Sequence, residues 1–220
     1  MVYKTVQLNI GYWLFFLFIQ CSYGLDDQSW TKISFEKKLS HSFKLELAQG
    51  LRLKGQLSTF NQAFFEVSLS YKDSNGLKIN IPYRYTIFEE KIKHRLSIGA
   101  SYQYILKPVT LKYRIKYYRL LENGESLGED GAAFGDLIRN KFTIKYKSGK
   151  NIYPYFAGEL FHLHNTENNP LDEYRASIGI EINLPRKNSI NIFYIVKKKD
   201  VTKSSPDDIN IFGFSYSSKI

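Results

Sequence analysis

The sequence predicts an all-β fold: an antiparallel up-and-down β-barrel that crosses a membrane with strands. Three observations carry this reading. Apolar and polar residues alternate with a period of two along nearly all of the chain after residue 25. The alternating segments run about 10–14 residues, longer than ordinary soluble strands and right for tilted membrane strands. The chain also opens with a short apolar segment of the export type.

That opening, residues 1–24, reads as a cleaved signal peptide, leaving 25–220 as a single barrel domain. Lys4 supplies the positive start, and Ile10 to Ile19 form an apolar stretch shorter than the ~20 residues a membrane-spanning helix needs. Ser22-Tyr23-Gly24 is a small-x-small cleavage site. The single cysteine, Cys21, excludes an internal disulfide. A lipoprotein would use it as the lipidated residue, but Phe18-Ile19-Gln20 lacks the small residues expected before such a cysteine. No later apolar run is long enough for a helix, so a closed barrel is the remaining way across lipid.

The strand segments follow in order. Residues 30–39 alternate. In 43–55, Phe43, Leu45, Leu47, Leu51 and Leu53 oppose Lys44, Glu46, Ala48, Arg52 and Lys54. Residues 60–71 are a further candidate. In 77–88, Ile79, Ile81, Tyr83, Tyr85 and Ile87 oppose Lys78, Asn80, Arg84 and Thr86. In 92–106, Leu96, Ile98, Ala100, Tyr102 and Tyr104 oppose Arg95, Ser97, Gly99 and Gln103. In 109–119, Val109, Leu111, Tyr113, Ile115 and Tyr117 oppose Lys112, Arg114 and Lys116. In 138–147, Ile138, Phe142, Ile144 and Tyr146 oppose Arg139, Lys141 and Lys145. Residues 152–164 carry aromatics on both parities, with Glu159 read as inward. In 173–184, Tyr174, Ala176, Ile178, Ile180, Ile182 and Leu184 oppose Glu173, Arg175, Ser177, Gly179, Glu181 and Asn183. Ile190, Ile192, Tyr194 and Val196 mark the next segment, and Phe212, Phe214 and Tyr216 the last. A helix would mix these sets.

Short polar turns fall at 74–76, 148–151 and 185–188, and longer connections at 121–137, 165–172 and 199–208. The segments number eleven, whereas single-chain bacterial barrels have even counts. The expectation is therefore ten strands or twelve. Twelve is preferred, because 30–39 alternates too well to discard.

The chain is basic, with a formal charge of +10. The charges are spread along strands, and the export signal turns the reading away from nucleic acid. The one compact basic run, Lys197-Lys198-Lys199, reads as a solvated loop edge. In a membrane barrel the charged face lines the interior. Arg52, Lys54, Arg84, Arg95, Lys112, Arg114, Lys116, Arg139, Lys141 and Arg175 are then lumen cations, with Glu46, Glu66, Glu159 and Glu181 as counter-charges. Such an interior either only holds the barrel shut or forms a narrow channel that prefers anions. Tyr83, Tyr85, Tyr102, Tyr104, Tyr117 and Tyr146 suit interfacial girdles.

No catalytic set, cofactor motif or zinc spacing stands out. His162 and His164 share one face of a strand, and a membrane-embedded lipid-modifying enzyme using one of them is the alternative to a channel. The serine-bearing motif expected after such a histidine is absent. Glu129, Asp130 and Asp136 offer oxygen ligands to calcium, though a solvated acidic loop is the preferred reading. A soluble barrel holding an apolar ligand is the third reading, with the faces reversed.

Short motifs then add a resemblance. They are Trp30 at the head of the first strand, Tyr83-Arg84-Tyr85, His94-Arg95-Leu96, Tyr113-Arg114, Arg139-Asn140-Lys141, Pro154-Tyr155 with Glu159-Leu160-Phe161, and the closing Phe212-Gly213-Phe214-Ser215-Tyr216. Over 29–218 the chain resembles the outer-membrane barrel family known as domain of unknown function 2490. The resemblance implies a place in the outer membrane of a Gram-negative bacterium and supplies no activity or catalytic residue. Ile220 departs from the aromatic that often ends such barrels. From class alone, the expected partners are outer-membrane lipid and the machinery that inserts barrels by recognising the last strand.

Overall fold

A computed structural model gives the fold. It describes residues 26–122, 125–126, 136–149, 151–164 and 170–220. The proposed signal peptide, with Cys21, and the loop residues Glu129 and Asp130 lie outside these. The strands are β1 (Asp26–Lys38), β2 (Phe43–Lys54), β3 (Thr59–Lys72), β4 (Leu77–Phe88), β5 (Ile92–Leu106), β6 (Val109–Glu122), the two-residue β7 (Glu125–Ser126), β8 (Asp136–Tyr146), β9 (Ile152–His164), β10 (Leu171–Leu184), β11 (Asn188–Lys199) and β12 (Asp207–Lys219). β7 only extends the ladder of β6 at Leu121 and Glu122. The other eleven close into one ring, each antiparallel to the next except at the seam, where β1 and β12 run parallel from Asp26↔Ile209 to Glu36↔Lys219.

The strand count corrects the expectation of ten or twelve. Every alternating segment is a wall strand, and the even-number rule was the step that failed. In a meander successive strands reverse direction, so the first and eleventh point the same way and can close only in parallel. Parallel pairing is slightly weaker per residue than antiparallel. Here the seam is backed from inside by the buried cluster of Ile195, Ile209 and Ile211, with Trp30 and Phe193 packed on it.

Turn chemistry fixes the hairpins. Arg186 and Lys187 both adopt positive φ, and the Asn188 N–H donates to the Pro185 carbonyl, a tight turn whose twist matches the flanking strands. At the β3–β4 turn, Gly76 supplies a positive φ and the Asp73 carboxylate accepts from the Asn75 N–H. One end of the barrel carries the short connections 39–42, 73–76, 107–108, 147–151 and 185–187, together with the end of β12. The other carries 55–58, 89–91, 123–135, 165–170 and 200–206, together with the start of β1. All the longer connections thus share one end, and the two termini of the barrel wall lie at opposite ends.

Large apolar side chains cover the outer surface: Phe35, Phe65, Ile98, Phe156, Ile178 and Ile192 are among many that stand exposed. In water each would forgo about 1.5–3 kcal/mol of burial. The inner face carries the polar alternates, among them buried Glu66, Ser68, Ser97, Lys116 and Glu159. This polarity is inside-out relative to a soluble barrel. It corrects the reading of a soluble barrel with an apolar ligand chamber, because the apolar set faces outward. Tyr71, Tyr102, Tyr104 and Tyr146 stand outward near the short-turn end, and Tyr85, Tyr117 and Tyr174 near the long-loop end. Among the described residues no helix is long and apolar enough to cross a membrane.

Candidate functional site

The lumen is built by register. Residues paired across neighbouring strands share a face, so the row Arg114↔Lys141, Lys141↔Glu159, Glu159↔Arg175 and Arg175↔Lys197 turns all five side chains inward. The same logic places Arg52, Lys54, Arg84, Arg95, Lys112, Lys116, Arg139, Glu46, Glu66 and Glu181 on the inner face.

Inside the half nearer the long loops, arginines and aromatics form a closed circuit. The Arg52 guanidinium lies 3.7 Å over Trp30 and 5.7 Å from Phe64. Arg84 lies 3.8 Å over the Phe64 ring and donates to Glu66 at 2.7 Å. Arg95 reaches the same Glu66 oxygen at 3.4 Å and lies 4.8 Å over Tyr118. Tyr118 accepts from Arg139 at 3.0 Å, and Arg139 lies 5.1 Å from Phe161. Arg175 lies 4.5 Å from Phe161 and 5.2 Å from Trp30, which completes the ring. Among the described residues Arg52 has no carboxylate partner. With the Gln62 amide oriented to satisfy both groups, the Gln62 oxygen accepts from its Nε and Nη1 at 3.1 and 2.6 Å.

Three buried carboxylates each bind two cations along this circuit. Glu66 holds Arg84 and Arg95, Glu159 holds Arg139 and Lys141, and Glu173 holds Arg175 and Lys197. Pairing of this kind satisfies the charges and ties strands together, so these arginines act as wall fittings. Lower in the barrel Glu46 pairs with Lys32, Glu36 with Lys44, and Glu181 with Lys145.

β6 differs. Its inward residues Lys112, Arg114 and Lys116 have no carboxylate within 4 Å among the described residues. Arg114 stands opposite Lys141 and Lys116 opposite Arg139, like charges in register, an arrangement that disfavours the sheet. Lys112 and Arg114 of this ladder border a cavity of about 350 Å³, and an adjoining cavity of about 290 Å³ shares Lys112, Thr143, Lys145 and Glu181 with it. The second extends to Lys147, in the turn after β8, so the space opens toward the short-turn end.

Glycines on the inner face make this packing feasible. A Cβ at Gly50 would strike the Phe64 ring, at Gly99 the Lys116 stem, at Gly179 the Tyr155 ring, and at Gly213 the Phe193 ring. Each lets a long side chain of the neighbouring strand lie flat against the wall.

Several functional residues escaped the sequence reading. Lys197 is inward and 3.2 Å from Glu173, and Lys198 is outward beside Asp208. The run 197–199 is therefore part of β11, which corrects its reading as a loop edge: strand alternation separates its charges onto two faces. Glu173, Lys44 and Lys145 stand on the polar face that the alternation marks but were not assigned to the lumen pairs, and Lys32 and the inward aromatics Trp30, Phe64, Tyr118 and Phe161 were not picked out at all. A signal for Phe161 existed, since aromatics occupy both parities of 152–164. His162 and His164 face outward from β9, with His164 edge-on to Tyr117 at 5.9 Å. Asp136 is held by Arg119 through two hydrogen bonds of 3.0 Å, an arrangement that occupies it without a metal. Among the described residues no group of three acidic, histidine or cysteine side chains is placed to hold a metal ion.

Fold and site together define a β-barrel with an apolar outer surface and a cationic lumen. The chain belongs to the family described as protein of unknown function (DUF2490), whose model matches residues 27–208. No curated protein matches it by sequence. Among solved structures it is similar to OccK8 (OprE) of Pseudomonas aeruginosa, with 12% identity over 76% of this chain and 56% of that one, at a TM-score of 0.38. It is similar also to an anion-selective porin of Comamonas acidovorans, with 11% identity over 82% and 54% of the two chains and a TM-score of 0.38. A third is OccAB4 of Acinetobacter baumannii, with 11% identity over 79% and 61% and a TM-score of 0.35. The chain thus spans between 54% and 61% of the length of these proteins.

Proposed function

We propose that this protein is exported through its residues 1–24, sits in a Gram-negative outer membrane, and forms a narrow channel that prefers anions. The observation that carries the reading is the β6 ladder. Arg114 and Lys116 face other cations in register and have no carboxylate of their own among the described residues, which costs stability, and the cost is intelligible if the ladder serves a passing anion. Rings and rows of Lys and Arg lower the entry cost for negative solutes. The apolar exterior supports the membrane location, and the strand number limits the passage. Eight strands are filled by side chains and sixteen leave an open aqueous channel, so eleven leave little room.

The test is the full chain, refolded and inserted into a planar lipid bilayer under a potassium chloride gradient. The reversal potential should favour chloride, and Arg114→Gln should move it toward zero with the barrel still folded. A barrel that inserts, as shown by heat-shifted electrophoresis, but passes no current would make the lumen a closed structural core.

A further inference from the structure

We infer that the cavity beside the ladder is a binding site for a phosphate group. The inference deepens the channel reading by naming the solute class, and it rests on that reading for its biological role. Four cations converge on one space of about 350 Å³: Lys112 and Arg114 from β6, and Lys141 and Lys145 from β8. They face a single carboxylate across the cavity, Glu181, which is already bound to Lys145 at 2.6 Å. Lys141 is likewise engaged, with Glu159 at 2.6 Å. The remaining charge on Lys112 and Arg114 is therefore available to a ligand.

The chemistry of the donors selects the ligand. Arg114 brings a planar fork suited to two oxygens at once, and the lysines bring point charges that accept any direction of approach. Thr143 and Tyr155 add hydroxyls to the same lining. Thr143 lies opposite Lys112 in register, and Tyr155 opposite Lys145, so backbone pairing holds the donors side by side. Gly179 leaves the room in which the Tyr155 ring lies. A compact oxyanion with several acceptor oxygens and more than one negative charge uses this set fully, whereas a monovalent carboxylate leaves most of it unanswered. The opening lies at the short-turn end, by Lys147. A free phosphate and a phosphoryl group on a small metabolite share this chemistry.

Isothermal titration calorimetry of the full chain refolded in detergent, with inorganic phosphate as the probe, tests the site without requiring conductance. Saturable binding is expected, weakened about tenfold in Lys112→Gln and again in Arg114→Gln, as loss of a charge-assisted contact requires. Heat-shifted electrophoresis checks that each variant is folded, and Lys54→Gln, outside the cavity lining, should bind like the parent. Competition by glucose 6-phosphate would assign the site to phosphorylated metabolites, and failure to compete would assign it to free phosphate. Absence of saturable binding, or binding that both folded variants retain in full, would overturn the proposal. A silent bilayer with intact phosphate binding would instead remove the channel and leave the site.

Discussion

Replacing Glu66 by glutamine should cost the barrel about 3 kcal/mol, at the low end of what breaking a buried ion pair costs. Glu66 accepts from Arg84 at 2.7 Å and from Arg95 at 3.4 Å, and its side chain is 11% exposed. Arg84 and Arg95 stand opposite each other in register, so the carboxylate is what separates two like charges. Glutamine keeps the shape and one acceptor but removes the charge. Arg95 is 24% exposed, so lumen water screens part of the repulsion, which is why the low end applies. Removing the second cation as well should relieve the conflict, and Glu66→Gln with Arg95→Gln should recover roughly 1–2 kcal/mol relative to simple addition. Urea unfolding in detergent, followed by the fluorescence of Trp30, gives both numbers. Trp30 is the only tryptophan after residue 25 and lies under Arg52 in the same circuit. An unfolding midpoint equal to that of the parent, with no coupling in the double variant, would refute the claim that shared carboxylates hold this wall together.

Other consequences can be checked in the same preparations. Gly213→Ala drives a methyl group into the Phe193 ring beside the parallel seam and should destabilise the barrel by about 1–3 kcal/mol, read from the urea midpoint. Lys116→Gln should leave the barrel at least as stable as the parent, because it removes a charge opposed to Arg139, yet it should lower the anion preference measured by reversal potential. In whole cells, an epitope placed at the start of β1 should be reached by antibody from the face that carries the long loops, and one after β12 should be protected. Equal accessibility of both would contradict the eleven-stranded wall.

The strands were legible because a wall with an apolar outer face and a polar inner face imposes a period of two on every segment, and each alternating run became a strand. Arg114 and Lys141 could be assigned to the inner face for the same reason. The count failed because a general rule about even numbers was set above the segments themselves. The pairing of charges was not legible. Glu66 meets Arg95 across 29 residues of sequence, and Glu181 meets Lys145 across 36, so only the closed register shows which cations are neutralised. The distinction between the paired arginines and the bare β6 ladder therefore came from topology. The inward aromatics were hidden for another reason: Phe64 and Tyr118 occupy parity positions that the alternating pattern assigns to polar residues, and their role is to stack on arginines that arrive from neighbouring strands.

The parallel seam also bears on how such a wall could be assembled. In an even-stranded barrel entering from the short-turn side, both chain ends stay behind and only hairpin loops are pushed across the bilayer. Here β1 begins at the far end, so the segment leading into β1 would have to cross before β1 can meet β12. For an outer-membrane barrel this would make closure the last step and tie it to transport of the segment that precedes β1. A bulky folded tag placed there should stall assembly with the seam open, while the same tag after β12 should be tolerated.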